Sequence, residues 1–298
     1  MWKGRAQARN RSVSIKTKNK LNAAALVSGK GHQDENFPVA SFLINPEYRP
    51  IIMAFYQFAR QADDVADNVI ASKKDRLAIL EDMRSSLTGE SQSEPNAVVL
   101  RQTLINHGLD HTIVHGLDLL EAFRRDVSVN RYENWDALMD YCRYSASPVG
   151  RFVLDVHKES RNLWPMNDAL CTALQVINHL QDCGKDYRMM NRIYIPSDIM
   201  EAVGATAGDL GCFHASLPLR QAIETAALKT KSLLKRSSSF SVAIHDKRLG
   251  VEVAVIQRLA ESLTECLTKH DPLSERVHHN KAETLGLAFV AAAGRLFS

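Results

Sequence analysis

The chain has 298 residues, of which 45% are hydrophobic and 24% charged, so it is long enough to bury a full core. Its nine prolines and fourteen glycines are few for this length, and no long stretch alternates apolar and polar residues, which favours helices over sheet. The sequence contains no apolar run of about 18 residues, which predicts that no helix spans a membrane.

The net charge of +3 is unevenly distributed. Residues 1–33 contain eight lysines and arginines and no acid, whereas the rest of the chain is net acidic. We predict a basic, disordered N-terminal arm over 1–33 and one all-helical domain over 34–298. A solvated tail and an arm attracted to an anionic membrane are both open interpretations. Because the body has no basic patch, no nucleic-acid partner is expected.

Five cysteines are scattered along the chain and never spaced as Cys-x-x-Cys. This pattern indicates reduced thiols and argues against a structural zinc site. We therefore expect a cytoplasmic protein, with peripheral contact at the inner face of the membrane left open.

Helical segments are predicted along the whole body. Order is expected from about Glu35, and Asn45-Pro46-Glu47 is typical of a helix start, with Asn as the cap and Pro in the first turn. That helix would continue to about Asp67. Further helices are predicted at 73–87, 95–107, 110–127, 134–158, 166–187, 197–204, 214–239, 249–270 and 274–294.

The first predicted helix carries polar side chains on one face. Tyr56, Arg60, Asp63 and Asp67 follow one another at steps of four, three and four residues. At about 100° per residue, this spacing keeps all four within roughly 40° of one line. We call these four residues the first stripe; Asp64 lies just beside it.

A later predicted helix repeats this design. Its polar residues, the second stripe, are Gln175, Asn178, Asp182 and Asp186, at steps of three, four and four residues. Apolar residues lie between the polar ones, so both helices also have a face to bury. Each stripe ends in two aspartates one helical turn apart.

Carboxylates at this spacing repel each other and destabilise a helix by about 0.3 kcal/mol. For one pair alone, a solvated acidic face is the simpler interpretation. Two pairs, each with amide, phenol or guanidinium neighbours, indicate instead that the side chains converge on hard cations. Oxygen ligands suit Mg²⁺, which commonly bridges carboxylates to phosphate oxygens. The predicted Mg²⁺ ligands are Asp63, Asp67, Asp182 and Asp186, with Asp64 in support.

Such a metal site suits a diphosphate substrate. Divalent cations stabilise departing diphosphate, so that a C–O bond can break and leave an allylic or cyclopropylcarbinyl cation. Cations that could hold the remaining diphosphate oxygens are Arg60, Lys185, Arg188 and Arg192. A di-iron four-helix bundle is the competing carboxylate design, but it needs two Glu-x-x-His motifs and we find one, Glu275 to His278.

At these residues the sequence resembles the squalene/phytoene synthase family, the head-to-head prenyl synthases. The family's first aspartate motif is similar to Asp63-Asp64-Val65-Ala66-Asp67, and its second to the segment from Gln175 to Asp186, followed by Arg192-Ile193-Tyr194. Chain-elongating prenyl synthases carry an Arg-Arg pair after their first motif, and here Asn68-Val69-Ile70-Ala71 follows.

The resemblance implies a fold and a set of site residues. The fold is a single-domain, all-α isoprenoid synthase with a central prenyl-diphosphate cavity, and the cofactor is Mg²⁺, as two or three ions. The implied substrate-binding residues are Tyr56, Arg60, Gln175, Asn178, Lys185, Arg192 and Tyr194.

A third segment, Tyr141 to Arg151, resembles the family's kinked helix. Pro148 removes a backbone hydrogen bond and clashes with the preceding turn, so a kink is expected there. The resemblance implies that Tyr141 and Tyr144 are catalytic, with at least one facing the reacting cation or passing a proton. The alternative is that both are packing aromatics.

Within the family, the strings Glu35–Ser41, Ser145–Arg151 and His179–Tyr187 resemble the bacterial hopanoid-pathway branch. Members that condense two farnesyl diphosphates carry Lys and Ser where this chain has Glu35 and Asn36. The resemblance therefore implies that one diphosphate ligand is lost, as suits an enzyme that handles a single diphosphate.

The implied activity is conversion of presqualene diphosphate and water to hydroxysqualene, without NADPH. One alternative is condensation of two prenyl diphosphates, such as farnesyl diphosphate, to presqualene diphosphate, squalene or a phytoene-type product. An alternative of another class is a non-catalytic, helical lipid-binding partner that retains the acidic faces. Contacts with other hopanoid-pathway enzymes stay open.

Overall fold

A computed structural model describes Ala23 and residues 44–296 of the chain. The predicted arm over 1–33, apart from Ala23, and the string Glu35–Ser41 therefore lie outside the described residues. The helices of the described part are α1 Arg49–Asp67, α2 Lys73–Thr88, α3 Pro95–Asn106, α4 Ile113–Asp126, α5 Trp135–Ser145, α6 Ser147–Val156, α7 Trp164–Gln181, α8 Cys183–Met190, α9 Ser197–Ala202, α10 Leu217–Arg236, α11 Phe240–Ala243, α12 Lys247–Lys269 and α13 Lys281–Leu296.

Between residues 44 and 296 the chain forms no β-sheet. A single isolated bridge pairs Arg131 with Ile193. The all-α prediction is therefore confirmed. Among the described helices, none combines the length and the apolar character needed to cross a bilayer.

Local sequence signals set several helix ends. The Ser72 hydroxyl accepts the N–H of Asp75 at 3.2 Å and so caps α2. Gly89 ends the same helix with a φ of +96°, in the left-handed region that glycine adopts most readily. The side-chain oxygen of Asn134 accepts the N–H of Ala137 at 2.9 Å and caps α5.

The first helix begins later than the sequence predicts. The side-chain oxygen of Asn45 accepts the N–H of Glu47 at 3.2 Å, and its carbonyl accepts the N–H of Tyr48 at 2.9 Å. These bonds make a turn, and α1 starts after it, at Arg49. Pro50 lies in the first turn of α1, where a missing N–H costs no hydrogen bond.

Two long predicted helices are interrupted. The segment predicted at 134–158 divides at Ala146, and Pro148 stands in the first turn of α6, so the chain breaks where only a kink was expected. The segment predicted at 166–187 divides at Asp182, whose φ and ψ of −97° and 6° lie outside the helical range. The second stripe is therefore not on one continuous helix.

Buried apolar side chains form two clusters. One is built by α1 to α4 together with Phe152 and Val156 of α6. The other is built mainly by α5, α7, α10 and α12. A cavity of about 400 Å³ lies between them and is lined by members of both, including Phe55 and Phe152 on one side and Leu170 and Val253 on the other.

Candidate active site

The first stripe runs along α1, and three of its members line the cavity: Tyr56, Arg60 and Asp63. One Arg60 nitrogen lies 2.8 Å from Asp63 and another lies 2.6 Å from Asp64. Asp64 is buried and is not a cavity-lining residue. Of the five predicted metal ligands, only Asp63 lines this cavity, and the guanidinium of Arg60 joins Asp63 to Asp64.

The second stripe crosses the break between α7 and α8. The N–H of Asp182 donates to the carbonyl of Asn178, and the N–H of Asp186 donates to the carbonyl of Asp182, each at 2.9 Å. These two bonds keep the polar residues near one line despite the break. Asn178 lines the cavity, and the Lys185 ammonium lies 3.4 Å from Asp182.

The ends of the two stripes come together through Arg192. Its guanidinium donates to Asp67 at 2.5 Å and to the carbonyl of Ala66 at 3.1 Å, both at the end of α1. Arg192 follows α8 directly, and the negative charge of Asp67 is close enough to raise the pKa of Asp186. Aspartates far apart in sequence are thus close enough for their charges to interact.

One carboxyl group in each stripe is hard to ionise. Burial raises the pKa of Asp63 to about 7, with a further contribution from the charge of Asp67 and an opposing one from Arg60. The Asp63 side chain keeps 35% exposure, which it has toward the cavity that it lines. Burial raises the pKa of Asp186 to about 7 as well, followed by the charge of Asp182. A nearby cation would favour the ionised form of both groups.

The donor set suits Mg²⁺ bound partly through water and substrate. In the described part of the chain, no three His, Cys, Asp or Glu side chains are grouped closely enough to hold a metal by themselves. Mg²⁺ seldom needs such a cage, since it usually keeps several waters and uses one or two carboxylates plus substrate phosphates. The close acids with raised pKa values fit that form of binding.

Asp126, at the end of α4, is a buried acid close to the first stripe that the sequence reasoning missed. The hydroxyls of Tyr141 and Tyr194 donate to its two oxygens at 2.9 Å and 3.1 Å. Burial raises the pKa of Asp126 to about 6, and its charge in turn raises the pKa of Asp63. No helical spacing links Asp126 to either stripe, so only the burial of a lone acid between Phe123 and Val127 could have signalled it.

Gln175 and Tyr194 meet at His179. The amide of Gln175 lies 3.0 Å from the imidazole, and the rings of His179 and Tyr194 stack with centroids 3.4 Å apart. Burial, assisted by the charge of Arg192, lowers the pKa of His179 to about 3, so the ring is neutral. Gln175 is not a cavity-lining residue. In the described structure its hydrogen bond is to His179, which stacks on Tyr194.

Tyr144 is also separated from the cavity. It is not among the lining residues, and its ring lies 4.3 Å from the guanidinium carbon of Arg125. Arg125 in turn bonds Glu121 and Asp140. Tyr141 does not line the cavity either, and its hydroxyl donates to Asp126. The structure therefore places the two tyrosines in different surroundings.

The part of the cavity around Phe55, Phe152 and Gly150 is apolar and tightly packed. The rings of Phe55 and Phe152 stack with centroids 3.9 Å apart. At Gly150, an added Cβ would lie 1.9 Å from the Asn167 side chain and 2.6 Å from the Cys171 sulfur. Only glycine therefore allows α6 to approach α7 this closely, which accounts for a glycine in the segment after Pro148.

Further polar residues approach the second stripe from the segment between α12 and α13. Burial lowers the pKa of His278, and the charges of Arg276, Asp182 and Lys185 all act on it. Arg276 is exposed. The sequence reasoning gave this segment no role, because nothing in its spacing connects it with residues almost a hundred positions earlier.

Comparison with known proteins agrees with this architecture. The model of the squalene/phytoene synthase family matches residues 30–283. The hydroxysqualene synthase of Zymomonas mobilis subsp. mobilis is 99% identical over 288 residues, which are 97% of each chain. The hydroxysqualene synthase of Rhodopseudomonas palustris is 47% identical over 275 residues, covering 92% of this chain and 94% of that one.

A solved structure is similar as well. The squalene synthase HpnC from Alicyclobacillus acidocaldarius superposes with a TM-score of 0.67 at 31% identity, covering 77% of this chain and 86% of its own. The family match extends over most of the chain and includes both aspartate stripes. The chain belongs to the squalene/phytoene synthase family.

Proposed function

We propose that this chain converts presqualene diphosphate and water to hydroxysqualene and diphosphate, on the route to squalene and hopanoids. The observation that carries the proposal is that both stripes contribute to one apolar cavity, through Asp63 and Asn178, and that the charge of Asp67 in the first stripe acts on Asp186 in the second. Two relatives that match nearly the whole chain are named hydroxysqualene synthase, which supports this substrate and product.

The acids would hold two or three Mg²⁺ ions through Asp63, Asp67, Asp182 and Asp186. Bound there, Mg²⁺ would neutralise the diphosphate and stabilise it as a leaving group. Asp64 is assigned a different task from the one the motif suggests: it holds Arg60, which in turn orients Asp63.

Cationic and amide side chains complete the diphosphate end. Lys185, half exposed beside Asp182, can reach an oxygen of the substrate. Arg192 is fixed against Asp67 and adds positive charge between the stripes. Tyr56 and Asn178 line the same cavity and can donate to diphosphate oxygens or hold water near them. Arg276, whose charge acts on His278 together with that of Asp182, and Arg188 on α8 are further cations near the second stripe.

The apolar cavity positions the prenyl chains and excludes bulk water. Each buried CH₂ group contributes about 0.8 kcal/mol of binding, so long prenyl chains supply ample energy for orientation. The ester C–O bond breaks, and its electron pair leaves with the diphosphate. The cyclopropylcarbinyl cation rearranges, water adds to it, and the water proton is released. Carbon is neither oxidised nor reduced by an external partner, so the reaction needs no NADPH.

The buried phenols support this end of the cavity. Tyr141 and Tyr194 hold Asp126 beside Asp63, which places a fixed negative charge and aromatic faces near the acids. Such groups can stabilise a positive charge that develops nearby. Tyr141 therefore keeps its proposed catalytic role, whereas Tyr144 is left out.

The unpaired thiols support a proposal for the compartment. All five cysteines are unpaired, as expected for a reducing cytoplasm. We propose that the chain works there, in peripheral contact with the inner face of the membrane that contains its lipid substrate and product.

The test is a pair of incubations with purified protein and Mg²⁺. Presqualene diphosphate without NADPH is expected to give hydroxysqualene, and farnesyl diphosphate alone is expected to give no C30 product. A C30 product from farnesyl diphosphate alone would favour the condensing activity instead. No product from either substrate, with Mg²⁺ present, would favour the non-catalytic alternative.

A further inference from the structure

Glu252 is an acid on the apolar, cavity-facing side of α12. It lines the cavity together with Leu249, Val253 and Ile256, and these four residues follow one another at steps of three, one and three. That spacing places them on one face of a helix, so Glu252, which is 4% exposed, stands where a core residue is expected. Acids are seldom found at such positions, because burial removes the hydration of a carboxylate. Binding of the diphosphate gives Glu252 no task, since it belongs to neither stripe.

Of the described residues that line the cavity, two have carboxyl groups, Asp63 and Glu252. The helix of Asp63, α1, belongs to one of the two buried apolar clusters, and the helix of Glu252, α12, belongs to the other. The cavity lies between these clusters, so the two acids stand on different walls. Asp63 serves the diphosphate in the proposed reaction, which leaves Glu252 facing the space for the prenyl chains.

The proposed reaction needs a water molecule inside this cavity and a base that takes its proton. Water is retained in an apolar cavity only where polar groups hold it. Outside the two stripes, the described lining side chains with polar atoms are Asn167, Cys171 and Glu252.

Asn167 and Cys171 are held by the protein and by each other. The Asn167 amide donates to the carbonyl of Ser147 at 3.3 Å and to Asp168 at 3.1 Å, and its oxygen accepts the Cys171 thiol at 3.6 Å. Burial raises the pKa of Cys171 to about 12, so the thiol stays protonated. A side-chain amide is not a base at neutral pH. Among the described lining groups outside the stripes, Glu252 is therefore the one that can accept a proton.

We propose that Glu252 holds the water molecule that captures the rearranged cation and accepts the proton of that water. A lone pair of the water oxygen forms the C–O bond to the cation. One O–H bond then breaks, its electron pair stays on the oxygen of the new hydroxyl group, and the proton passes to the Glu252 carboxylate. Glu252 returns this proton to solvent after hydroxysqualene leaves. The inference rests on the proposed function for the substrate and for the cation.

The charge of the cation assists this step. Burial by itself favours the neutral carboxyl group, but a positive charge in the same cavity favours the ionised form. The departing diphosphate is the competing base, because it also carries anionic oxygens. It would lie with the stripes, whereas Glu252 is on the wall formed by α12. If the diphosphate took the proton, replacing Glu252 would leave the product unchanged.

The experiment compares the full-length wild type with Glu252→Gln, Glu252→Asp and the control Glu261→Gln. Glutamine keeps the size of Glu252 and can still bond water, but it cannot accept a proton. Glu261 is also on α12, does not line the cavity, and has a side chain that is 40% exposed. Each protein is incubated with presqualene diphosphate and Mg²⁺ without NADPH. Diphosphate release measures ionisation, mass spectrometry of the C30 products measures the fraction that is hydroxysqualene, and circular dichroism measures folding.

Glu252→Gln is expected to release diphosphate at close to the wild-type rate, because it belongs to neither stripe. Its hydroxysqualene fraction is expected to fall about tenfold, because the general base is lost, and C30 hydrocarbons formed by proton loss from carbon should take its place. Glu252→Asp, whose carboxylate is withdrawn by one methylene group, should give an intermediate fraction. Glu261→Gln should match the wild type in both measurements.

A wild-type hydroxysqualene fraction in Glu252→Gln would overturn the proposal. Loss of diphosphate release with an unchanged fraction would overturn it as well, since Glu252 would then act in binding or ionisation. If Glu252→Gln did not fold, Glu252→Asp would decide, and a wild-type fraction in that variant would overturn the proposal. Failure of the wild type to form hydroxysqualene would count against the proposed function instead.

Discussion

The two aspartate stripes look alike in sequence but differ in their surroundings. The first lies on the continuous helix α1, where Arg60 holds both Asp63 and Asp64. The second crosses a helix break, and the Asp182 side chain at that break is 46% exposed. Burial raises the pKa of Asp63 in one stripe and of Asp186 in the other. The helical spacing of the acids thus determines their positions, whereas burial determines which of them ionise at neutral pH only with a cation nearby.

If both stripes serve one site, the acid with the raised pKa in each stripe, Asp63 or Asp186, should be equally important for turnover. We expect Asp63→Asn and Asp186→Asn each to lower turnover of presqualene diphosphate by on the order of 10²–10³-fold, because each removes a charge that faces the diphosphate. The measurement is diphosphate release at saturating Mg²⁺.

Asp110→Asn, at an exposed aspartate outside both stripes, is the matched control and should leave turnover unchanged. A large loss for Asp63→Asn with none for Asp186→Asn would break the comparison, since it would mean that only the α1 stripe takes part.

Arg192 connects the stripes, so its removal should affect stability as well as turnover. It is 6% exposed and bonds Asp67, whose side chain remains 40% exposed. Loss of a buried partner usually costs about 3–5 kcal/mol, but water can solvate Asp67, so we expect a decrease of about 2 kcal/mol in the free energy of unfolding for Arg192→Gln.

Urea denaturation with and without Mg²⁺ measures this decrease. Arg192→Lys keeps the charge and should recover part of the stability. If Arg192→Gln were as stable as the wild type, the guanidinium would not hold the two stripes together, and their meeting would need another cause.

Substitutions of Tyr141 and Tyr144 test the described contacts further, with smaller expected effects on stability and turnover. Tyr141→Phe removes one of two phenol hydrogen bonds to buried Asp126 and should cost about 1 kcal/mol of stability, with a fall in turnover. Tyr144→Phe, at a ring beneath Arg125, should change neither. Thermal unfolding and steady-state kinetics of both variants provide the check, and equal effects in the two would contradict the separation seen here.

The sequence predicted the helical class and the two stripes because both depend on local periodicity. Apolar residues at helical spacing report the face to be buried, and polar residues at the same spacing report a second face. Helix ends were less accurate. Asn45-Pro46 forms a turn before α1, and the smooth period from Gln175 to Asp186 conceals the break at Asp182.

Contacts between distant segments were not accessible to that reasoning. Asp126 reaches Tyr194 across 68 positions, and Arg192 reaches Asp67 across 125. No pattern within one helix encodes such contacts, because they depend on how helices pack. For the same reason Tyr144 could not be separated from Tyr141 by sequence, although the two rings lie in different environments.

The last prediction is a pH dependence that distinguishes the stripes from the rest of the core. The pKa of Asp63 is about 7 in the folded chain against an ordinary value of 3.8. Between these values the folded protein binds more protons than the unfolded one, so this group makes the free energy of unfolding fall as pH rises. His179, whose pKa is lowered to about 3, acts in the opposite direction.

The difference in the free energy of unfolding between the wild type and a variant cancels the contribution of His179, which both proteins contain. Without Mg²⁺, Asp63→Asn should gain stability relative to the wild type progressively from about pH 4 to about pH 7, as measured by urea midpoints across that range. Excess Mg²⁺ should narrow the gap at pH 7, because it binds the ionised carboxylate that the variant lacks. A stability difference that stayed constant with pH would mean that Asp63 ionises as readily in the folded chain as in the unfolded one. Burial would then not make its ionisation depend on a bound cation.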